Sequence, residues 1–442
     1  MKNTFLTLSV LVTVLFSPLA HAAPLGTRTV LDNGATLLVA ERPGVPMVIF
    51  NILLKSGAAS DPTGKEGVAN LAAELLTRGT QQYTAQALAE ELDFLGASLG
   101  VGADLESTTI TLTTLTKNLD AALSLLTAVI LTPTFPETEL DKKRTEVLGG
   151  LKSQEEDPGW VAQRAFLEKL YPGHPYGRLV EGQPASIAKV TRADVVRYHQ
   201  TYYRPNNAII AAAGDITQAQ IVELLQKHFA KWQSGDIPAT AWPEEQQPKP
   251  ERIALEKKVT QATVVLGHVG ITRANPDYYA VQVMNYILGA GGFGSRLMDK
   301  IRVELGLVYH VGSSFSARKH AGPFTVSLQT KNESATHALD ETMQVIRRFT
   351  EEGPTDKELE AAKSYLINSF PLRLVSNRDV SSLLPVLEFH ELGLDYPDRY
   401  PTIIGGITRE QVHAAAKSYL HLDQMLQVVV ADLAQAKLPN KP

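Results

Sequence analysis

The chain has no cysteine, so disulfides and thiolate metal sites are excluded, and an exported protein of this kind must be held together by packing alone. It also lacks a dominant charge sign. Its 42 Lys and Arg stand against 47 Asp and Glu, for a net charge of −5. With no basic run to track a phosphate backbone, nucleic acid is excluded as a partner. Eleven histidines are present, yet no two are spaced i, i+3 or i, i+4, the spacing by which one helix face presents two imidazoles to a metal. The apolar stretch Phe5 to Phe16 is short for a membrane-spanning helix. With Lys2 before it and Ala20-His21-Ala22 after it, the segment 1–22 reads as a secretory signal. Its removal makes the mature chain one unit more negative. The absence of cysteine just after it argues against a lipid anchor. The expectation is export across the inner membrane to a periplasm, without stable membrane insertion.

What is present is a large soluble chain. Its 442 residues are 44% hydrophobic and 20% charged, enough to bury more than one core. Residues 234–251 hold four prolines and little apolar patterning, which predicts a linker between a domain at 23–233 and another at 252–442. The two parts repeat. Thr191-Arg192-x-x-Val195 recurs as Thr408-Arg409-x-x-Val412, each threonine placed to cap a helix. Tyr202 and Tyr419 follow at one offset, as do the strands 208–213 and 426–430, closed by Asp215 and Asp432. Pro136 to Leu140 is matched by Pro354 to Leu359, each opening a long helix. An Asp32-Asn-Gly34 hairpin turn, alternating strands at 98–104 and 107–115, and helices at 67–77, 84–95, 117–130, 137–154 and 159–170 complete the first half. The second half reads as strand 261–268, helices 276–289 and 295–303, strands 307–317 and 323–330, then helices. The fold class expected is α+β: two tandem homologous domains, each a mixed, mostly antiparallel sheet with helices on one face.

The stretch Ser56-Gly-Ala-Ala-Ser60 followed by Gly67 to Thr80 resembles the start of the pitrilysin, insulinase and mitochondrial processing peptidase family. Members carry H-x-x-E-H on this helix, then a few apolar residues and Gly-Thr. Counting back from Gly79-Thr80, the first histidine falls on Asn70, the general-base glutamate on Ala73 and the second histidine on Glu74. An asparagine amide is a poor zinc ligand, alanine accepts no proton, and one carboxylate makes no zinc site. The distal ligand, expected in a line like E-R-x-V-V-L-E-E, falls on Gly150 of Lys143-Arg-Thr-Glu-Val-Leu-Gly-Gly150. Glu146 lies one turn before it and Glu155 five residues beyond. His174-Pro-Tyr-Gly177, Tyr203-Arg-Pro-Asn-Asn207 and Ala213-Gly-Asp215 extend the resemblance over the mature chain. It implies the processing-peptidase type of domain, used twice, with no metal held by this chain.

The positive signal lies in the second half: Gly291-Gly-Phe-Gly-Ser-Arg-Leu297, then Arg302-Val-Glu-Leu-Gly-Leu-Val-Tyr309. In the resembled family R-x-x-x-G-x-x-Y lies opposite the zinc and reaches the substrate across a closed chamber. Arg302, Gly306 and Tyr309 match it. A guanidinium and a phenol both donate to a carbonyl oxygen that gains negative charge during attack. The glycine-rich turn at 289–294 is no nucleotide loop, since no Lys-Ser/Thr follows it. Gly96-Ala-Ser98-Leu-Gly100 leads from helix to strand, the reverse of a nucleophile elbow. His174, His268, His310, His413 and His421 read as surface or satisfied core histidines. The resemblance thus implies a non-catalytic subunit that supplies Arg302 and Tyr309 to a homologous H-x-x-E-H partner, with zinc in that partner and unfolded peptides as substrates. The alternative is a non-proteolytic peptide-binding or assembly protein of the same fold.

Overall fold

The computed structural model describes residues 24–439; the expected signal segment 1–22 lies outside them. The first half opens with strands β1 (Thr27–Val30), β2 (Thr36–Glu41) and β3 (Met47–Leu54). β4 (Ser98–Ala103), β5 (Thr108–Leu115) and β6 (Ala208–Gly214) complete its sheet. The second half contributes β7 (Glu251–Glu256), β8 (Gln261–Val269), β9 (Val308–Phe315), β10 (Pro323–Lys331) and β11 (Leu426–Ala431). The sheets run in the orders β1-β2-β6-β3-β5-β4 and β7-β11-β8-β10-β9. Without β1 the two orders are the same. Each sheet is antiparallel except for one parallel pair in the same place, β2 with β6 and β7 with β11. The duplication read from helix caps and strand endings is therefore a duplication of topology.

The helices begin where side chains can satisfy their free N–H groups. Thr191 and Thr408 cap Arg192–Tyr202 and Arg409–Tyr419, each with a reciprocal bond from the third helical residue. Thr355 does the same for Asp356–Ser369, and Asp157 caps Pro158–Leu170, whose first residue is proline. Gly34 turns the β1–β2 hairpin with φ +87°, a conformation that glycine adopts without strain.

The expectation of helices on one face of each sheet is incomplete. One face of the first sheet packs on its own helices, with Phe50, Ile52 and Leu112 against Leu71, Leu123 and Leu126. Its other face is covered by the helix Asn377–Phe389 of the second half, where Val380 and Leu384 meet Leu38, Leu53, Ile209, Ala211 and Ala213. The exchange is reciprocal. Helix Pro158–Leu170 of the first half lays Ala162, Phe166 and Leu170 on Val265, Val269, Val428 and Val430 of the second sheet. This is why β6 and β11 are buried along their whole length and read as continuous apolar runs. Arg28 fixes the first exchange with bonds to both carboxylate oxygens of Glu388 at 2.7–3.1 Å. Arg42 donates to the Leu374 and Val375 carbonyls at 3.1 and 3.0 Å.

Residues 234–250 form no helix or strand, and β7 begins at Glu251. The stretch is nevertheless tied down. Gln247 exchanges two hydrogen bonds with the Val269 backbone at 2.8 and 3.1 Å, and Trp242 stacks on His320 with ring centres 4.2 Å apart.

Candidate functional site

The helix Val68–Leu75 enters through Gly67, at φ +99°, where a Cβ would lie 2.4 Å from the Glu181 carbonyl oxygen. Only glycine fits. The buried Asp61 then caps the helix, accepting from the Gly67 and Ala69 N–H groups at 2.6 and 2.9 Å. Burial pushes its carboxyl up to about 7, opposed by those two donors and by the charge of Arg178.

On this helix Asn70 is half-buried, Ala73 is buried, and Glu74 faces the helix Glu137–Gln154. Between the two helices lies Lys143, its Nζ 3.2 Å from Glu74 and 2.5 Å from Glu146. The Glu146 bond, followed by that to Glu74, raises the ammonium's pKa. Gly150 is exposed, with nothing within 4 Å of where a Cβ would stand. The donor set does not fit zinc. Asn70 offers a neutral amide, and Glu74 is already paired with a cation. Ala73 and Gly150 contribute no ligand or base.

In the second half, the spacing Arg302, Gly306, Tyr309 has a structural cause. The segment Met298–Glu304 is a wide helical turn. It is closed by bonds from Leu305 N to the Lys300 oxygen and Leu307 N to the Ile301 oxygen. Gly306 reverses the chain with φ +63° and delivers it into β9. Arg302 thus lies in the last turn of the helix, and Tyr309 is the second residue of the strand. Such wide turns recur at functional sites, and a second one, Tyr286–Ala290, leads into the glycine-rich turn. At the tip of that turn Phe293 is 68% exposed. The Arg302 guanidinium rests over its ring, 4.5 Å from the centre.

A β-bulge aims Tyr309. Val311 pairs with Leu328 and Val308 with Thr330, so Tyr309 and His310 both stand opposite Gln329. Strict alternation would bury one of the two. Instead both are exposed, Tyr309 at 80%, on an edge strand. Among the described residues no hydrogen bond or ion pair joins Arg302 or Tyr309 to Asn70, Glu74 or Gly150.

Three residues that sequence reasoning did not connect come together at the seam between the halves: His174, Glu245 and His320. Glu245 Oε1 lies 3.2 Å from His320 Nδ1, 3.7 Å from His174 Nε2, and accepts the Ala321 N–H at 3.1 Å. His174 is 3% exposed, and burial lowers its pKa against the nearby Glu245 charge. Its Nδ1 accepts the Tyr176 N–H at 3.1 Å, which places the neutral ring's proton on Nε2, facing Glu245. To bind a cation through Nε2 the ring would have to give up the Tyr176 bond, so the trio is built as an electrostatic clasp, in which Nε2 has no hydrogen-bond partner of its own among the described residues. No local spacing announces it, because its members come from a loop, the strap formed by residues 234–250, and the β9–β10 turn. His268 behaves as a satisfied core histidine, with Nδ1 toward the Val269 oxygen and Nε2 accepting the His421 N–H. Ser98 opens β4 on its exposed side.

The fold and the emptied motif define a class: a two-domain metallopeptidase scaffold without its metal ligands. The model described as insulinase, peptidase family M16, matches residues 37–183, and the M16 inactive domain matches 189–366. A solved peptidase M16 inactive domain from Pseudomonas fluorescens is 31% identical, with a TM-score of 0.87, covering 92% of this chain and 97% of that one. The chain belongs to peptidase family M16, as a pseudopeptidase. A Helicobacter pylori relative called a non-peptidase homolog, YmxG, is 28% identical over 89% of this chain and 91% of its own. A Bacillus subtilis relative, called an uncharacterized zinc protease, is 25% identical over 80% of this chain and 86% of its own.

Proposed function

We propose that this chain is the non-catalytic partner subunit of a periplasmic, heteromeric zinc peptidase of family M16. It forms half of a peptide chamber and presents Arg302 and Tyr309 to the active site of a homologous subunit that carries H-x-x-E-H and the zinc. The observation that carries this reading is Tyr309, a phenol held out at 80% exposure by a bulge in a chain whose own motif has no metal ligands to use it. Arg302 supports it, since its guanidinium lies on an exposed phenylalanine rather than in an ion pair. Both groups donate to an oxygen that becomes negative as a peptide carbonyl is attacked. An extended peptide would lie as an added strand along a free sheet edge. The periplasmic assignment rests on the signal-like residues 1–22.

The test is peptide hydrolysis by the mature chain, alone and mixed with an H-x-x-E-H homologue encoded beside it, with zinc quantified in each sample. Activity and zinc in the mixture, and in neither case in this chain alone, are expected. Stoichiometric zinc with activity in this chain alone would overturn the reading. Peptide binding without hydrolysis in any sample would favour an assembly or peptide-binding protein.

A further inference from the structure

Beside Tyr309 lies a cavity of about 360 Å³, open to solvent, between the outer face of the second sheet and the start of helix Pro158–Leu170. Its polar lining is Gln163 from the first half, Gln261 and Thr263 from β8, Tyr309 and His310 from β9, and Ser327 and Gln329 from β10. Val265, Leu328 and Gly159 supply the apolar remainder. Two features set it apart. No Asp, Glu, Lys or Arg lines it, whereas a cavity of similar size in the same half is walled by Arg296, Asp299, Lys300 and Glu304. Further, none of the seven polar side chains spends its donors or acceptors on a hydrogen bond among the described residues. Gln329 stands opposite Thr263 of β8 and alternates along β10 with Ser327, which puts all three on the face that lines the cavity.

We infer that this cavity is a side-chain subsite for an extended peptide, selective for uncharged amide or hydroxyl side chains. The inference rests on the peptide-chamber reading, since it is Tyr309 that would bring a peptide backbone to the cavity mouth. Three primary amides and three hydroxyls provide both donors and acceptors, which an asparagine, glutamine, serine or threonine side chain can use in full. A carboxylate or ammonium entering the same space would lose water without meeting an Asp, Glu, Lys or Arg of opposite charge. An aliphatic side chain would displace water from the amides without replacing its hydrogen bonds.

The experiment uses the mature full-length chain and short fluorescein-labelled peptides that differ at one position, carrying Gln, Ser, Ala, Glu or Lys there, with binding followed by anisotropy near pH 8. The position is scanned along the peptide. At one register Gln and Ser are expected to bind between about two- and tenfold more tightly than Ala, the worth of one net hydrogen bond, with Glu and Lys weaker than Ala. In Gln329→Ala and Gln163→Ala that preference should shrink, with the Ala peptide's affinity and the melting temperature retained. The same ranking in wild type and both variants, or Glu and Lys binding as well as Gln, would overturn the subsite while leaving the chamber reading intact. If no peptide binds, with or without the H-x-x-E-H homologue, the chamber reading fails and the subsite with it.

Discussion

Asp61 shows how a single residue ties the emptied motif to the rest of the molecule. Its carboxyl holds the first N–H groups of the motif helix, yet burial raises its pKa from the ordinary carboxylate value to about 7. The folded state therefore takes up a proton that the unfolded state releases. Its contribution to stability is complete below about pH 4 and is lost as pH rises through about 7. Asp194 works in the opposite sense, held down to about 2 by its bonds to Lys65 and Thr191 against the cost of burial. Asp61→Ala should thus lose about 1–2 kcal/mol through the missing cap, and less at pH 8 than at pH 5. Urea melts of wild type and variant at the two pH values check this, and an equal loss at both would refute it. At the same scale, Tyr309→Phe or Arg302→Ala should lower turnover of the assembled peptidase by about a hundredfold without dissociating it, as read by kcat and by size-exclusion chromatography. Unchanged turnover in both variants would remove the cross-subunit role.

At the scale of elements, the motif helix and the helix Glu137–Gln154 still face each other, but Lys143 now neutralises the carboxylates between them. Restoring histidines and the general base with Asn70→His, Ala73→Glu and Glu74→His together should not yield a good enzyme. Gly150 leaves the metal one ligand short, and removing Glu74 leaves the Lys143 ammonium, then held by Glu146 alone, beside the would-be cation. Zinc content and peptide hydrolysis of the triple variant measure this; tight zinc with substantial activity would show that another carboxylate already serves. The clasp is a second element-scale device. Glu245→Ala leaves the buried His174 Nε2–H without its facing carboxylate and the Ala321 N–H without an acceptor, and should cost about 1–3 kcal/mol. A denaturant midpoint equal to wild type would show that the strap contributes nothing.

For the whole molecule, the reciprocal helices make each half the lid of the other half's sheet. Leu384→Ala sits in the second half's sequence but in the first half's packing. It should cost about 2–5 kcal/mol and shift one cooperative transition rather than uncouple two. Calorimetry resolving two separate transitions in wild type would contradict this coupling. Such mutual covering suits a rigid half-shell, since neither sheet can move without uncovering apolar surface.

The sequence by itself determined most of what is local. Caps such as Thr191, Thr355 and Thr408 fixed where helices begin. Alternation placed β4, β5, β9 and β10 within a few residues, and the repeat of these signals foretold two domains of one topology. The poor fit of Asn70, Ala73 and Gly150 to zinc was equally legible, because their side-chain chemistry needs no coordinates to judge. Only the tertiary structure decided which helix covers which sheet. Apolar runs such as Ala208–Gly214 announce burial on both faces but carry no address for the partner. The bulge at Tyr309 was also out of reach, being a property of register between two strands. So was the His174–Glu245–His320 clasp, whose members are distant in sequence and become neighbours through the packing of one half against the other.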